Sequence, residues 1–304
     1  MPADCTKLEI SSTVLIIISI LYGTVGLAAV ILNAVILLAM IKDPLKRLRT
    51  TFNYLVVNLS VCDFLDGAVA LPLLVYFNYY SDHYRKLNQM VTTSLGVFLP
   101  NTIQLAVGFS MCALSIDRYK AIVYPIKYRQ NVSWTRCVKY TLSIWVLAIV
   151  GTLPLALLSK NELADTIYMN VCPVFIGAVM SIVFLRVKNV LRSNHTEFED
   201  KMKESLTASQ DHIANRLKTE QKITRVYTII LVTVLATSLP GLILLDVSTF
   251  LYGNDCFFVF VVSCVRLLLL AINSVTNAWI CMFLLKDFRE SIRVMLCGGD
   301  AVSI

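Results

Sequence analysis

The sequence predicts an all-α membrane protein, a bundle of seven transmembrane helices with a short amphipathic eighth helix. Of its 304 residues, 57% are hydrophobic and only 15% are charged, whereas soluble domains carry about 25% charged residues. The apolar residues lie in long blocks, and about 20 such residues cross the hydrocarbon core of a bilayer as a helix. Only helices and closed barrels satisfy their backbone groups in lipid, and blocks of this length exclude barrel strands.

Seven apolar blocks are long enough to span the membrane, and each is predicted to form one helix. In chain order they cover residues 12–40, 52–78, 91–117, 137–158, 168–190, 224–251 and 256–285. After the seventh block, the amphipathic stretch KDFRESIRVML predicts a short helix on the inner membrane surface. The predicted organisation is an extracellular arm over residues 1–11, a seven-helix domain over 12–285, and a cytoplasmic eighth helix with a short tail over 286–304.

The basic residues orient this bundle. Most of the 27 Lys and Arg residues lie in the connections after the first, third and fifth blocks and in the segment after the seventh. Because cytoplasmic loops carry the excess of Lys and Arg, these connections are predicted to lie inside and the N-terminus outside. The net charge of +7 therefore follows from topology and requires no nucleic-acid partner. The predicted location is the plasma membrane, crossed several times.

Several blocks place polar side chains near the middle of the membrane. Asn33 and Asn277 each precede an inner lysine by nine residues, which is about 13 Å along a helix. Asp63 lies at a similar depth in the second block, and Asn273 and Ser274 share the helix face of Asn277. Because polar groups in hydrocarbon are costly, these residues are candidates for a functional site. The alternative is that they only hold neighbouring helices together by hydrogen bonds.

Short motifs then resemble those of the rhodopsin-like (class A) G-protein-coupled receptors. LSIDRYKAIVYPIKY resembles the end of that family's third helix, VILNAVIL its first helix, and NLSVCD its second. Trp145 resembles the Trp of its fourth helix, and NSVTNAWICMFLLKDFRESI resembles its seventh and eighth helices. These motifs occur in the family's order over nearly the whole chain, so the sequence is identified as a member of the family.

This resemblance implies a receptor that transmits an extracellular ligand signal to a heterotrimeric G protein and is not an enzyme. Asp117, Arg118 and Tyr119 are the implied coupling residues at the inner end of helix 3. Glu220 lies twenty residues before Pro240 and is the implied acid that faces Arg118 from helix 6. Movement of helix 6 about Pro240 would then expose Arg118 to the G protein. Arrestin is a further implied partner.

The resemblance also implies a sodium ion or waters in the middle of the bundle, and no other cofactor. The residues that match this site are Asn33, Asp63, Asn273, Ser274 and Asn277. Val107 occupies the position where helix 3 of the family usually supplies a hydroxyl group. Waters alone are therefore an alternative to sodium at this site.

The chain departs from the family pattern at several positions. Ala278 and Cys281 replace the usual Pro and Tyr of helix 7, and Ser238 replaces the usual aromatic residue before Pro240. No Cys lies at the outer end of the third block, a feature that resembles the melanocortin, cannabinoid, lysolipid and adenosine receptor grouping. These departures leave open a receptor that couples weakly.

The candidate ligand pocket lies toward the outer side of the bundle. Asp66 lies one helical turn outward from Asp63, Arg266 lies on the inward face of the seventh block, and Asp246 lies near the outer rim. Asp66 and Arg266 either bind an anionic or zwitterionic ligand or pair with each other. Further candidates are Tyr76, Asn101 and Gln104.

The ligand is restricted by two absences in the sequence. Pro100 occupies the position of the acid that binds amines in the family's amine receptors, so a biogenic-amine ligand is not expected. Residues 256–285 contain no Lys, so a retinal Schiff base is excluded. A small molecule, a lipid and a peptide all remain open as ligands.

The cysteines suggest one covalent link and one lipid anchor. Cys256 or Cys264 is expected to bridge to Cys5 or Cys172 on the oxidising outer side, with buried free thiols as the alternative. Cys297, on the amphipathic eighth helix, is a predicted palmitoylation site.

A transporter or channel is the main alternative from another class of protein. Such proteins usually show internal repeats, broken helices or a path of ionisable groups, and this sequence shows neither repeats nor such a path. The three His residues all lie outside the predicted spans, so the sequence predicts neither a metal site nor a hydrolase centre.

Overall fold

The structure, a computed structural model, describes residues 10–76, 89–124, 128, 134–157, 172–202, 222–241, 243–244 and 255–297. The main helices in these ranges are α1 (Ser12–Lys42), α2 (Thr51–Tyr76), α3 (Gln89–Val123), α4 (Trp134–Leu157), α5 (Cys172–Met202), α6 (Lys222–Gly241), α7 (Cys256–Leu284) and α8 (Lys286–Cys297). The all-α bundle predicted from the sequence is confirmed.

Most of these helices have the length and composition of membrane spans. Among the described residues, α1, α2, α3, α4, α6 and α7 are long and apolar enough to cross a bilayer. In α5 the apolar residues precede Arg186, and polar and charged residues dominate after it. The apolar part of α5 within the described residues is therefore shorter than a full span, and the predicted fifth block, 168–190, begins before the first described residue of this helix.

Helix α3 lies at the centre of the bundle. It packs against α2, α4 and α5, while α1 packs against α2, α7 and α8. Leu55, Ala106, Leu114, Leu231 and Ile280 belong to one buried apolar cluster that joins α2, α3, α6 and α7. Many apolar side chains on the opposite helix faces are exposed. This distribution is typical of a bundle whose outer surface contacts lipid.

Two glycines allow α1 and α2 to approach closely. A Cβ atom added to Gly67 would lie 2.6 Å from the carbonyl oxygen of Gly26. A larger residue at position 67 would push the two backbones apart. Small residues serve this purpose at helix contacts in membranes.

Helix α2 contains a π-helical turn over Asp66–Ala70. Pro72 follows this turn; it lacks a backbone N–H, and its ring would clash with the carbonyl group four residues earlier in a regular α-helix. A π turn takes about one extra residue, which rotates the following residues by roughly 100° about the helix axis. The outer end of α2 therefore faces a different direction from the one that a regular helix would give.

The inner rim is fixed by the short connection between α1 and α2. Asp43 ends α1 with φ 33°, and its Oδ1 accepts hydrogen bonds from the backbone N–H groups of Arg47 and Leu48, each at 3.1 Å. Arg47 also lies 3.4 Å from a carboxylate oxygen of Glu290 on α8. On the same helix, burial raises the pKa of the Asp287 carboxyl group above its usual value. Helix α8 thus packs against α1 and contacts the connection after α1 through one exposed ion pair.

Candidate functional site

The inner end of α3 holds a buried ion pair. Arg118 is 1% exposed and is among the largest fully buried side chains in the described part of the molecule. Its Nη2 donates to Oδ2 of Asp117 at 2.6 Å, and its Nε donates to the same oxygen at 3.2 Å. The sequence predicted both residues as coupling residues. The next residue of this motif, Tyr119, is half-buried.

Two residues that the sequence analysis did not single out complete this cluster. The Tyr128 hydroxyl donates to the carboxylate of Asp117, with O···O distances of 2.9 and 3.0 Å, and accepts from Nη2 of Arg118 at 3.1 Å. The guanidinium of Arg118 also lies over the ring of Phe52, 4.4 Å from its centroid. Contacts of this kind between a cation and an aromatic face are attractive. The cluster of Arg118, Asp117, Tyr128 and Phe52 is called the inner cluster below.

Glu220, the predicted partner of Arg118 on helix 6, lies outside the described residues. Within the described part, a different contact joins α3 to α6 near this depth. Ser115 and Tyr227 share a hydrogen bond of 2.6 Å between their hydroxyl groups, and both side chains are buried. This contact fixes the inner half of α6 against α3.

The position of α3 is also set by a polar contact with α2 and α4. Asn58 donates to the hydroxyl of Ser110 at 2.8 Å and accepts from the indole N–H of Trp145 at 3.1 Å. All three groups lie among apolar side chains, where an unsatisfied amide would be costly. Asn58 therefore links three helices at one depth.

The predicted polar residues of α1, α2 and α7 meet in the middle of the bundle. Asn33 donates to the backbone carbonyl of Ser274 at 3.1 Å, and Asn277 donates to Oδ2 of Asp63 at 3.2 Å. Asn273 lies on the α6 side, where Thr237 donates to its amide oxygen at 2.7 Å. These residues, together with Asp66, are called the middle layer below.

Two oxygens of the middle layer have no hydrogen-bond partner in the described structure. They are the amide oxygens of Asn33 and Asn277, both in buried side chains. Buried polar atoms are normally satisfied by a protein group or an ordered water. The middle layer therefore has acceptor capacity for a cation or for waters.

Asp66 lies one turn outward from Asp63 and is 3% exposed. Its Oδ1 accepts from the side-chain amide of Gln104 at 3.2 Å, and its Oδ2 accepts from the hydroxyl of Ser274 at 3.1 Å. No ion pair joins Asp66 to Arg266, although the side chains of both residues are described. The structure therefore does not form the pair that was one of the two alternatives, and the charge of a ligand at these residues stays a prediction.

A cavity of about 370 Å³ opens between the outer halves of the helices. Asp66, Asn101, Gln104 and Arg266 line it, as the sequence predicted, and Ser238 lines it as well. The rest of its wall is apolar and comes mainly from α2, α3, α5, α6 and α7. Clefts of this size with few polar groups are typical of small-molecule sites.

The structure corrects one predicted pocket residue, Tyr76, and decides between the two alternatives for Cys264. Tyr76 is 42% exposed and does not line the cavity, because the π turn rotates the outer end of α2. Cys264 is a free thiol in a buried position and forms no disulfide, while its carbonyl group accepts from the Tyr22 hydroxyl at 3.0 Å.

Of the other cysteines in the predictions, the structure describes the side chain of some and not of others. Cys256 is disulfide-bonded, and its partner is none of the five free cysteines in the described part. Cys172 and Cys297 stand at helix ends with side chains outside the described set, and Cys5 and Asp246 lie outside the described residues altogether. Palmitoylation of Cys297 stays a prediction.

Comparison with known proteins independently supports the family resemblance found in the sequence. The family model of the seven-transmembrane receptors of the rhodopsin family matches residues 32–280. The chain is 29% identical to the mouse D(3) dopamine receptor over 188 residues, which is 56% of this chain and 41% of that receptor. It is 36% identical to the rabbit neuromedin-K receptor over 146 residues, 47% of this chain and 29% of that receptor. The chain thus spans less than half the length of these curated relatives.

Proposed function

Because the chain belongs to the rhodopsin family of seven-transmembrane receptors, we propose that it passes an extracellular ligand signal across the plasma membrane to a heterotrimeric G protein. The observation that supports this most directly is the inner cluster, in which Arg118 is buried against Asp117, Tyr128 and Phe52. A guanidinium at the inner mouth of the bundle is a group that an intracellular partner can bind once it is exposed. The family match does not favour a transporter or channel.

In the resting receptor, Arg118 is bound to Asp117 and faces Glu220 of helix 6. Ligand binding in the outer cavity favours a second arrangement in which helix 6 moves outward about Pro240. A ligand shifts this equilibrium only as far as it binds the second arrangement more tightly. The same exposed surface then binds arrestin as an alternative partner.

The hydrogen bond between Ser115 and Tyr227 would be broken by this movement. Their hydroxyl groups are 2.6 Å apart across α3 and α6, so an outward movement of α6 separates them. Such a contact stabilises the resting arrangement, as does the ion pair beside it. Helix movements of this kind are common in switching proteins.

A G-protein nucleotide-exchange assay on membranes that contain the full chain tests the proposal. Arg118→Ala is expected to lower ligand-free exchange at least tenfold, because the coupling group is lost. Glu220→Ala is expected to raise ligand-free exchange, because the resting arrangement loses an acid. Lys139→Ala, which removes an exposed basic side chain of α4, is the matched control. Exchange that is independent of Arg118 would contradict the proposal.

The middle layer supplies some of the oxygen ligands that a sodium ion would need. The carboxylate of Asp63 and the amide oxygen of Asn277, which has no hydrogen-bond partner in the described structure, are oxygen donors of the kind that bind hard cations. No three carboxylate, thiolate or imidazole groups cluster as metal ligands among the described residues, and α3 presents Val107 instead of a hydroxyl. Asp63 would thus be the principal ligand, and the ion would offset its buried charge.

A receptor that couples weakly is the second candidate function. Ala278 and Cys281 are both buried in α7, and neither side chain can supply the phenol hydroxyl that the family usually places there. Maximal exchange that stays low with every G protein tested would favour this candidate, provided that it still depends on Arg118.

The names of the matched receptors do not identify the ligand of this chain. One relative is named for dopamine and another for neuromedin K, two ligands of different chemistry. The third-helix acid of the family's amine receptors is replaced here by Pro100, so the ligand class depends on the other residues of the cavity.

A further inference from the structure

The middle layer contains two buried acids whose hydrogen-bond donors are all neutral. Asp63 is bonded by Asn277, and Asp66 is bonded by Gln104 and Ser274. The ion pairs of the described structure join other residues: Arg47 and Lys286 with Glu290, Arg49 with Asp43, and Arg118 with Asp117. A carboxylate among apolar helices without a cationic partner is strongly disfavoured. Such an acid is neutralised by a proton or by a bound cation, so the two acids form a site at which a cation competes with a proton.

Of these two acids, only Asp66 lines the outer cavity. The wall around it is formed mainly by the apolar side chains of Leu71, Leu74, Leu105, Met111, Leu235 and Leu267. A molecule in the cavity thus meets an apolar surface over most of its area and one buried carboxylate. Burial of an apolar body and a charge pair in low dielectric would both favour its binding.

The contact between Asp66 and Gln104 places this carboxylate against α3. Gln104 is one helical turn inward from Pro100, and the amide of Gln104 donates to Oδ1 of Asp66 at 3.2 Å. The cavity therefore has an acid next to α3 although α3 itself supplies none at position 100. In this chain the acid comes from α2 and lies about one helical turn deeper in the bundle than position 100 of α3.

Arg266 also lines the cavity and would favour an anion, so the two charges must be weighed. Arg266 is partly exposed, and water screens much of its charge. Its aliphatic stem packs close to Gly241 of α6, where an added Cβ would lie 3.2 Å from Cγ of Arg266. Asp66 is almost fully buried, so its charge acts in a lower dielectric and dominates the deep end of the cavity. On this ground the ligand inferred below is a cation, in place of the anionic or zwitterionic ligand that the sequence left open and despite Pro100, which argued against an amine.

We infer that the ligand is a small organic cation, an apolar body with an ammonium or amidinium group that binds the carboxylate of Asp66 inside the cavity. This inference rests on the proposed receptor function and names the ligand class of that same cavity. A volume of about 370 Å³ admits a small molecule and excludes a folded peptide.

Three probes with the same apolar body test the inference: phenylbutylamine, phenylbutanol and phenylbutyrate. Each is titrated into the full chain in nanodiscs of zwitterionic lipid, in sodium-free buffer at neutral pH, and the melting temperature is recorded. The amine is expected to raise the melting temperature at a half-saturating concentration at least tenfold lower than the alcohol. The carboxylate is expected to have the weakest effect.

Two variants locate the effect. Asp66→Asn keeps an oxygen acceptor and removes the charge, so it is expected to bring the amine to the potency of the alcohol. Asp255→Asn removes an exposed acid at the start of α7 and is expected to leave the preference for the amine unchanged. Should Asp66→Asn fail to fold, the ranking of the three probes on the unmodified chain still decides whether the cavity prefers a cation.

Equal potency of amine and alcohol, or a preference for the carboxylate, would overturn the inference. So would a preference for the amine that survives Asp66→Asn. Because this measurement uses no G protein, it is independent of the exchange assay. Selective amine binding without Arg118-dependent exchange would contradict only the proposed signalling, and the reverse result would contradict only the ligand class.

Discussion

The inner cluster and the middle layer both bury charge, but they balance it differently. In the inner cluster a guanidinium and a carboxylate lie 2.6 Å apart, with a phenol bonded to both. In the middle layer the carboxylates of Asp63 and Asp66 have only amide and hydroxyl donors. The first site is balanced by the chain itself, whereas the two acids of the second have no cationic partner among the ion pairs of the described residues.

This difference separates two roles for buried charge. A site that is internally paired stabilises one arrangement of the helices and is released when that arrangement changes. A site with excess negative charge is destabilising by itself and gains free energy from a bound cation. Substitutions should therefore have opposite effects on stability at the two sites.

The largest effect is expected from Asp117→Ala in the inner cluster. This change leaves the Arg118 guanidinium buried without its ion-pair partner, which costs about 3 to 5 kcal/mol for buried pairs. The expected result is a markedly lower melting temperature of the purified receptor in detergent. Lys139→Ala, at an exposed charged residue of α4, is the control. An unchanged melting temperature would mean that Arg118 is well solvated.

Asp63→Asn in the middle layer is expected to have the opposite sign. In sodium-free buffer the change removes a buried acid without a cationic partner and keeps an oxygen near Asn277, which should raise stability by about 1 to 3 kcal/mol, the usual penalty of an uncompensated buried group. Melting temperatures with and without added sodium chloride, against choline chloride at equal ionic strength, measure this. The unmodified chain should be stabilised by sodium and the variant should not. A variant that is less stable in both salts would contradict the contrast between the two sites.

Tyr128→Phe is expected to have an intermediate effect. The change removes one hydroxyl that bonds both Asp117 and Arg118, which is worth about 1.5 to 3 kcal/mol because both partners are charged. The ion pair itself remains, so ligand-free nucleotide exchange should rise only modestly. Tyr140→Phe, at an exposed tyrosine of α4, is the control. Exchange equal to that of the control would place Tyr128 outside the resting contacts.

The smallest effect is expected from Thr237→Val. Its hydroxyl donates to Asn273 at 2.7 Å across α6 and α7, and interhelical bonds of this kind contribute about 0.6 kcal/mol. Thr233→Val is a matched control, because the Thr233 hydroxyl bonds only the carbonyl of Ile229 within α6. A melting temperature equal to that of the control would show that the contact adds nothing measurable.

The sequence was sufficient to predict the fold and the depth in the membrane at which the polar and charged residues lie. Hydrophobic length defines the spans, and counting residues from the basic ends places Asn33, Asp63 and Asn277 at one level, where the structure brings them together. Arg118 and Asp117 stood out because charged residues end an apolar run. These features depend on distance along one helix, which a sequence gives directly.

Contacts between helices were harder to predict, because they depend on how the helices rotate. The pairing of Asp66 with Gln104 instead of Arg266 depends on the rotation of α2 relative to α3 and α7. The position of Tyr76 depends on the π turn, for which Pro72 was the available signal. Tyr128 lay within the motif at the end of helix 3, yet it lies beyond the end of α3, where counting residues along one helix does not predict contacts such as those with Asp117 and Arg118.

The extra residue in the π turn of α2 divides that helix into two parts with separate registers. Deletion of one residue between Asp66 and Ala70 would turn the outer part to new neighbours and leave the inner part, with Phe52 and Asn58, in its original orientation. A change of one residue could thus alter the shape of the outer cavity while the inner cluster stays the same.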